Sequence, residues 1–152
     1  MYISEAIKIN DSAVNFDLAD ISPSSIDLAK KMADNDKVNY YLTDIFKFYP
    51  DHKYDFITIG EVLEHVKDPV QLLVKLNDLL SDNGKFFITT PTNATTIDHS
   101  YLFRNADDVR EVVKKSAFKI EIESCKYSED MPQEMLDRFK ISMMYMAVLI
   151  KQ

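Results

Sequence analysis

The chain has 152 residues, the length of one domain able to bury most of its apolar surface. Its 46% apolar and 28% charged residues are ordinary for a globular protein, and a formal charge of −7 denies it the basic footprint of a general nucleic-acid binder. Its one cysteine, Cys125, can close no internal disulfide, no apolar run reaches membrane-spanning length, and the N-terminus lacks a signal peptide's regions, so a cytoplasmic protein without a membrane partner is expected. Cys125 itself reads best as a small buried apolar side chain.

Taken in order, Met1–Asn10 carries Ile3, Ala6 and Ile7 on one face of a short helix. Val14–Ala19 alternates as a strand and ends at Asp20. Ser22-Pro23 starts a helix running to about Met32, a serine cap followed by a proline whose missing N–H costs nothing there; Ile26, Ala29 and Ala33 are its buried face. Asp34-Asn35-Asp36 turns the chain into a second strand, Val38–Leu42, ending at Thr43-Asp44.

Tyr54–Ile59 is predicted to be a short buried strand broken at Gly60. Asp68-Pro69 caps a helix, Val70–Leu80, whose leucines at 72, 73, 76, 79 and 80 recur at helical spacing. Gly84 is predicted to end it in the left-handed conformation. Lys85–Thr90 is a strand whose apolar run suits cover on both faces. Pro91–Phe103 is a loop. Asn105 caps a helix through Ser116, with Asp107 and Asp108 in its first turn and Lys114 and Lys115 in its last, matching the helix dipole. Phe118–Ser124 and Ile141–Ile150 are strands, separated by a polar stretch with room for a short helix. Strands alternating with helices imply a mostly parallel sheet covered on both faces, with the closing pair placing one antiparallel strand at its side.

The chemistry gathers after the third strand. Glu61, Glu64 and His65 stand at i, i+3 and i+4, sharing one face if a helical turn starts at Gly60, and His99 follows in the loop after the next strand. Two carboxylates and two imidazoles at one sheet edge suit a divalent metal with open positions for substrate oxygens. The same residues also read as a solvated helix face beside His65 acting alone as a base. Tyr101, Phe103, Tyr127, Met131 and Met135 offer an aromatic and thioether wall or, equally, packing between loop and core. His52, in a polar turn, reads as surface.

The segments DLADISPSSIDLAKK, YLTDIF, YDFITIGEVLEHVKDPVQLL and LLSDNGKFFITTPTN resemble the class I S-adenosylmethionine-dependent methyltransferases, and the likeness runs from Val14 to Ile150. It implies a single α/β domain over residues 1–152: a Rossmann-like, mostly parallel sheet flanked by helices, with an antiparallel C-terminal strand. It implies S-adenosylmethionine as cofactor, with Asp20 on the ribose hydroxyls, Ile21 against the adenine, Asp44 on the adenine amino group, the Ile45 backbone on a ring nitrogen and Gly60 beside the methionine portion. It implies His65 as the catalytic residue, and Glu61, Glu64, His65 and His99 as ligands if a metal is used. The Glu-x-x-Glu-His pattern occurs in two metal-using branches, the small-RNA 2′-O-methyltransferases and certain ubiquinone-pathway O-methyltransferases; the former carry more histidines in the later loop, where this chain has His99 alone.

The sequence departs from the family at the glycine-rich loop after the first strand. It has two glycines, Gly60 and Gly84, and closely spaced glycines are needed to fold backbone around a charged ligand. The expectation is therefore a domain truncated at its N-terminus and missing its first, central strand, with little affinity for the cofactor on its own. A second copy completing the sheet, or Met1–Ile9 filling the slot, are the other ways to shelter the strand edges left open. The expected function is O-methylation of a small-molecule hydroxyl. The rivals are a non-catalytic remnant of the fold, serving as a dimerisation or partner-binding module, and a nicotinamide-dinucleotide domain, which leaves Asp44 and the Glu-His stretch unexplained.

Overall fold

The computed structural model describes residues 15–33, 36–127, 130, 132, 134–135 and 141–152. The expected N-terminal helix and strand-slot segment, the start of the first strand at Val14, the tip of the turn at 34–35, and Met131 lie outside them. The chain divides into two compact units, Met1–Tyr49 and Pro50–Gln152.

In the first unit, β1 (Phe16–Asp20) and β2 (Val38–Leu42) pair in parallel, from Phe16 opposite Val38 to Asp20 opposite Leu42. Helix α1 (Pro23–Ala33) joins them, its entry held by the Ser22 hydroxyl accepting from the Ser25 N–H at 3.3 Å. Ile26 is its buried residue, while Ala29 and Ala33 are half-buried.

The second unit holds β3 (Tyr54–Gly60), α2 (Pro69–Leu79), β4 (Leu80–Thr92), α3 (Ala106–Lys115), β5 (Phe118–Tyr127) and β6 (Met143–Lys151). Its sheet has the order β3-β4-β6-β5, with β4 parallel to β3 and β6 antiparallel to both β4 and β5. Three strands thus run one way and β6 alone runs against them. The reversed strand lies inside the sheet, not at its side. Composition explains the exchange: β6 is almost wholly apolar, with Tyr145, Ala147 and Leu149 buried, and an inner place satisfies both its edges. The outer place goes to β5, whose Lys119, Glu121, Glu123 and Lys126 keep an edge soluble.

Two local expectations are corrected. β3 is not a buried strand: Phe56 is 57% exposed, and Asp55, Thr58 and Gly60 are exposed too. Among the described residues it ends the sheet and pairs only with β4. Gly84 is not a left-handed cap, since neither glycine has positive φ. Leu80 is already extended at φ −76° and ψ 143°, so α2 passes directly into β4. Gly84 is needed for space instead, because a Cβ there would stand 2.7 Å from Leu80 Cγ.

The core of this unit is built from the helical leucines Leu72, Leu73, Leu76 and Leu79, the α3 valines 109, 112 and 113, and Phe86, Ile88, Phe118 and Leu149 from the sheet, all buried. Each such side chain contributes about 1.5–3 kcal/mol on leaving water. Both helices begin on side-chain caps. Asp68 accepts from Gln71 N–H with Pro69 at the first position, and Asn105 accepts from Asp108 N–H, while the Asp108 carboxylate separately accepts from the N–H of Arg104, the residue before the cap. Arg110 of α3 forks onto Glu123 of β5, which also accepts from the Tyr145 hydroxyl of β6 at 2.6 Å. That network lowers the Glu123 carboxyl below its ordinary range, the guanidinium first and the phenol second, while burial and the carboxylate push the Tyr145 hydroxyl up. No helix of the described residues is long and apolar enough to cross a membrane.

Candidate active site

Asp20, Ile21, Asp44 and Ile45 belong to the first unit; Gly60, Glu61, Glu64, His65 and His99 belong to the second.

In the first unit the parallel pairing sets the ends of β1 and β2 side by side, fastened by Thr43 N–H on the Asp20 carbonyl at 2.9 Å. Each acid turns back on its own chain. Asp20 Oδ1 accepts from Ser22 N–H at 2.7 Å, and Asp44 Oδ1 accepts from Phe46 N–H at 3.0 Å, capping the 3-10 turn Ile45–Lys47. These bonds spend one carboxylate oxygen on the turn and fix the direction of the other. Ile21, next to Asp20, leaves 73% of its surface exposed. The first N–H groups of a helical turn have no partner within the turn, which leaves the Ile45 amide for an outside acceptor.

In the second unit Gly60 closes β3, and its open face admits a Cβ only against Thr89 Oγ1 at 3.2 Å. Glu61 follows in the left-handed region at φ 53°, its N–H on the Thr89 carbonyl. That conformation is uncommon for glutamate and breaks the helical turn expected from Gly60. The turn that does form, Leu63–His65, starts later, so Glu61 stands outside the group that assembles next to it.

That group is Glu64, His65 and His99, one ligand atom of each lying within 4.8 Å of the others. Glu64 is 1% exposed, an unusual place for an acid. Its Oε2 accepts from the Thr90 hydroxyl at 2.8 Å, and its backbone carbonyl accepts from Ser100 and Tyr101 N–H. His65 places Nδ1 3.1 Å from the Asp98 carbonyl, and His99 places Nδ1 3.0 Å from the Ala94 carbonyl. A carbonyl only accepts, so Nδ1 of each ring carries a proton, and a neutral ring in that tautomer has its lone pair on Nε2. The rings meet edge to face with centroids 5.2 Å apart. His65 Nε2 is 3.9 Å from Glu64 Oε1. The exposed Asp98 carboxylate stands 3.6 Å from His65 Nδ1; the Thr96 hydroxyl, more than either histidine, holds it below the ordinary carboxylate range.

Of the expected aromatic wall, Phe103 is core at 1% exposed, with the half-buried Tyr101 tilted on it at 4.8 Å. Tyr127 ends β5 and Met135 is 43% exposed. Two participants escaped the sequence reading. Thr90 looked like one more strand residue, its only signal being a hydroxyl at the end of the run Phe86-Phe87-Ile88. Asp98 acts through its backbone carbonyl, which no side-chain pattern announces.

The family described as a methyltransferase domain matches residues 4–121. The malonyl-[acyl-carrier protein] O-methyltransferase 1 of Ilyobacter polytropus is 30% identical over 114 residues, 66% of this chain and 42% of that protein. The ubiquinone biosynthesis O-methyltransferase of Coxiella burnetii is 35% identical over 91 residues, 58% of this chain and 38% of that protein. The matches thus span about two-fifths of these relatives' own length. Among solved structures, the N-methyltransferase NodS from Bradyrhizobium japonicum in complex with S-adenosyl-L-homocysteine superposes with a TM-score of 0.69 at 15% identity, covering 96% of this chain and 71% of that one, a likeness of fold alone. With acids at the ends of two parallel strands, a reversed penultimate strand in the sheet, and a family match over most of its length, the chain belongs to the methyltransferase-domain family, with the fold of the class I S-adenosylmethionine-dependent enzymes.

Proposed function

We propose that the chain serves S-adenosylmethionine-dependent transfer of a methyl group to the hydroxyl of a small molecule. The observation that carries the cofactor reading is the pair Asp20 and Asp44 at neighbouring ends of parallel strands, each with one oxygen held by a turn. A carboxylate so placed suits the two vicinal hydroxyls of a ribose, as in other open α/β sheets. The exposed Ile21 would lie against the adenine, Asp44 would take the amino group, and the Ile45 amide a ring nitrogen. Gly60, exposed at the end of β3, suits the methionine portion. When bound, S-adenosylmethionine supplies an electrophilic methyl group on its sulfonium. His65 would take the proton of the acceptor hydroxyl at Nε2, its ring held in that tautomer by the Asp98 carbonyl. The choice of oxygen as acceptor is supported by the relatives named O-methyltransferases.

Without closely spaced glycines the affinity is expected to fall short of micromolar, so the test must tolerate weak binding. S-adenosylhomocysteine at millimolar concentration is expected to move the amide resonances of Asp20, Ile21, Asp44 and Ile45, and Asp20→Ala is expected to abolish the response. If those amides stay in place at saturating ligand, the cofactor reading fails and the remnant reading takes over.

A divalent cation is a second reading, favoured by the three-donor group. The residues fit one: a buried carboxylate, and two imidazoles tied through Nδ1 to carbonyls as metal-binding histidines commonly are. Glu64, His65 and His99 would hold it, without Glu61. Such an ion would supply positive charge beside the acceptor hydroxyl. Metal analysis of the purified chain before and after chelation is expected to find about one equivalent, lost in His99→Ala; an unchelated wild type free of metal removes the ion.

A further inference from the structure

The buried row of β4 runs Gly84, Phe86, Ile88, Thr90 and Thr92. It is free of hydroxyls as far as Ile88 and turns to them where the strand passes Glu64. Valine has the shape of threonine and favours strands as well, so packing alone does not call for a hydroxyl at a position 0% exposed. What sets Thr90 apart is the bond it makes, Oγ1 donating to Glu64 Oε2 at 2.8 Å, both side chains buried.

We propose that Thr90 is a positioning residue of the candidate site, holding the Glu64 carboxylate so that its other oxygen stays turned toward Nε2 of His65. A carboxyl oxygen buried this deeply must find a donor. The Glu64 backbone is already fixed by the Ser100 and Tyr101 amides on its carbonyl. The end of the side chain is not, since its last torsion is soft. Thr90 removes that freedom and leaves Oε1 3.9 Å from His65 Nε2. The atom proposed as the proton acceptor thus faces a carboxylate whose direction is set from a neighbouring strand.

This role rests on the reading of His65 as the base, but its test does not involve the cofactor. The test follows the ring nitrogens of His52, His65 and His99 in long-range proton–nitrogen spectra of the labelled chain. Thr90→Val and Glu64→Gln are each expected to shift the His65 Nε2 resonance by several parts per million, with exposed His52 unmoved, and Thr90→Ser is expected to restore the wild-type position. A hydroxyl serving only to satisfy a buried acid would lower the melting temperature of Thr90→Val and leave the ring signals in place. The proposal is overturned if folded Thr90→Val keeps the wild-type His65 signal, or if Thr90→Ser fails to recover it. Should the valine variant not fold, Thr90→Ala set against Thr90→Ser decides by the same resonance. A chain that binds no S-adenosylhomocysteine while Thr90→Val moves His65 defeats the methyl-transfer reading and spares this one.

Discussion

Set beside each other, the two units hold their candidate residues by different means. Among the described residues of the first, only Ile26 and Val38 are buried, while Ile21, Leu28, Met32, Leu42 and Tyr49 are each more than half exposed. The second buries two helices' worth of leucine and valine against four strands. Asp20 and Asp44 accept from amides two residues onward, whereas Glu64 is held by a hydroxyl 26 residues away. The strand-end acids are placed by turn chemistry and need little packing behind them. The glutamate and histidines are placed by tertiary structure and should fail when it does.

The sharpest way to break that contrast is through the cores. Phe86→Ala removes a fully buried ring that packs on Phe118 at 5.3 Å, and should cost about 3–5 kcal/mol. Ile26→Ala removes the one buried residue of α1, and with so much of its surroundings exposed should cost no more than about 2 kcal/mol, the low end for such a truncation. Urea titration followed by resolved amide signals of each unit measures both. Equal costs would mean that the first unit has a core as tight as the second.

A middle-sized effect comes from acid. The Arg110 guanidinium and Tyr145 hydroxyl hold the Glu123 carboxyl below its ordinary value of 4.5. A carboxylate lowered in the folded state stabilises above its unfolded value, and that contribution is lost as pH falls through the folded value. The second unit should therefore lose stability steadily below about pH 4.5, and Glu123→Gln should flatten that slope while lowering stability at neutral pH. Urea midpoints of the two proteins across that range test it; parallel curves would show that the network contributes nothing to acid stability.

The same division explains what could be read from the sequence. Helix entries at Ser22-Pro23, Asp68-Pro69 and Asn105 follow from short-range rules and appear within a residue or two of their expected places. The strands, and the acids ending β1 and β2, were legible for the same reason. What depends on the sheet was not. The inner position of β6, the exposure of β3 and the passage from α2 to β4 without a glycine turn are set by which strand neighbours which. In the site, the spacing of Glu61, Glu64 and His65 suggested one helical face, but the left-handed Glu61 takes it out of the group and the fold supplies Thr90 and the Asp98 carbonyl in its place. Those partners come from another strand and a loop, and no local pattern carries them.

If short-range chemistry is the same wherever it occurs, the smallest effects should ignore the division between units. Asn105→Ala removes an acceptor 3.1 Å from the Asp108 amide, and should cost about 1 kcal/mol. Ser22→Ala removes a longer bond, 3.3 Å from the Ser25 amide to the Ser22 hydroxyl, which is also shared with the Ser24 hydroxyl, and should cost about 0.5 kcal/mol. The order follows from cap geometry alone. Urea midpoints place the two variants, and a serine cap that costs more than the asparagine cap would mean that α1, with little core behind it, leans on its first turn for its existence. The positions of Asp20 and Ile21, fastened to that turn through the Ser22 amide, would then depend on the cap as well, and Ser22→Ala should weaken S-adenosylhomocysteine binding together with stability.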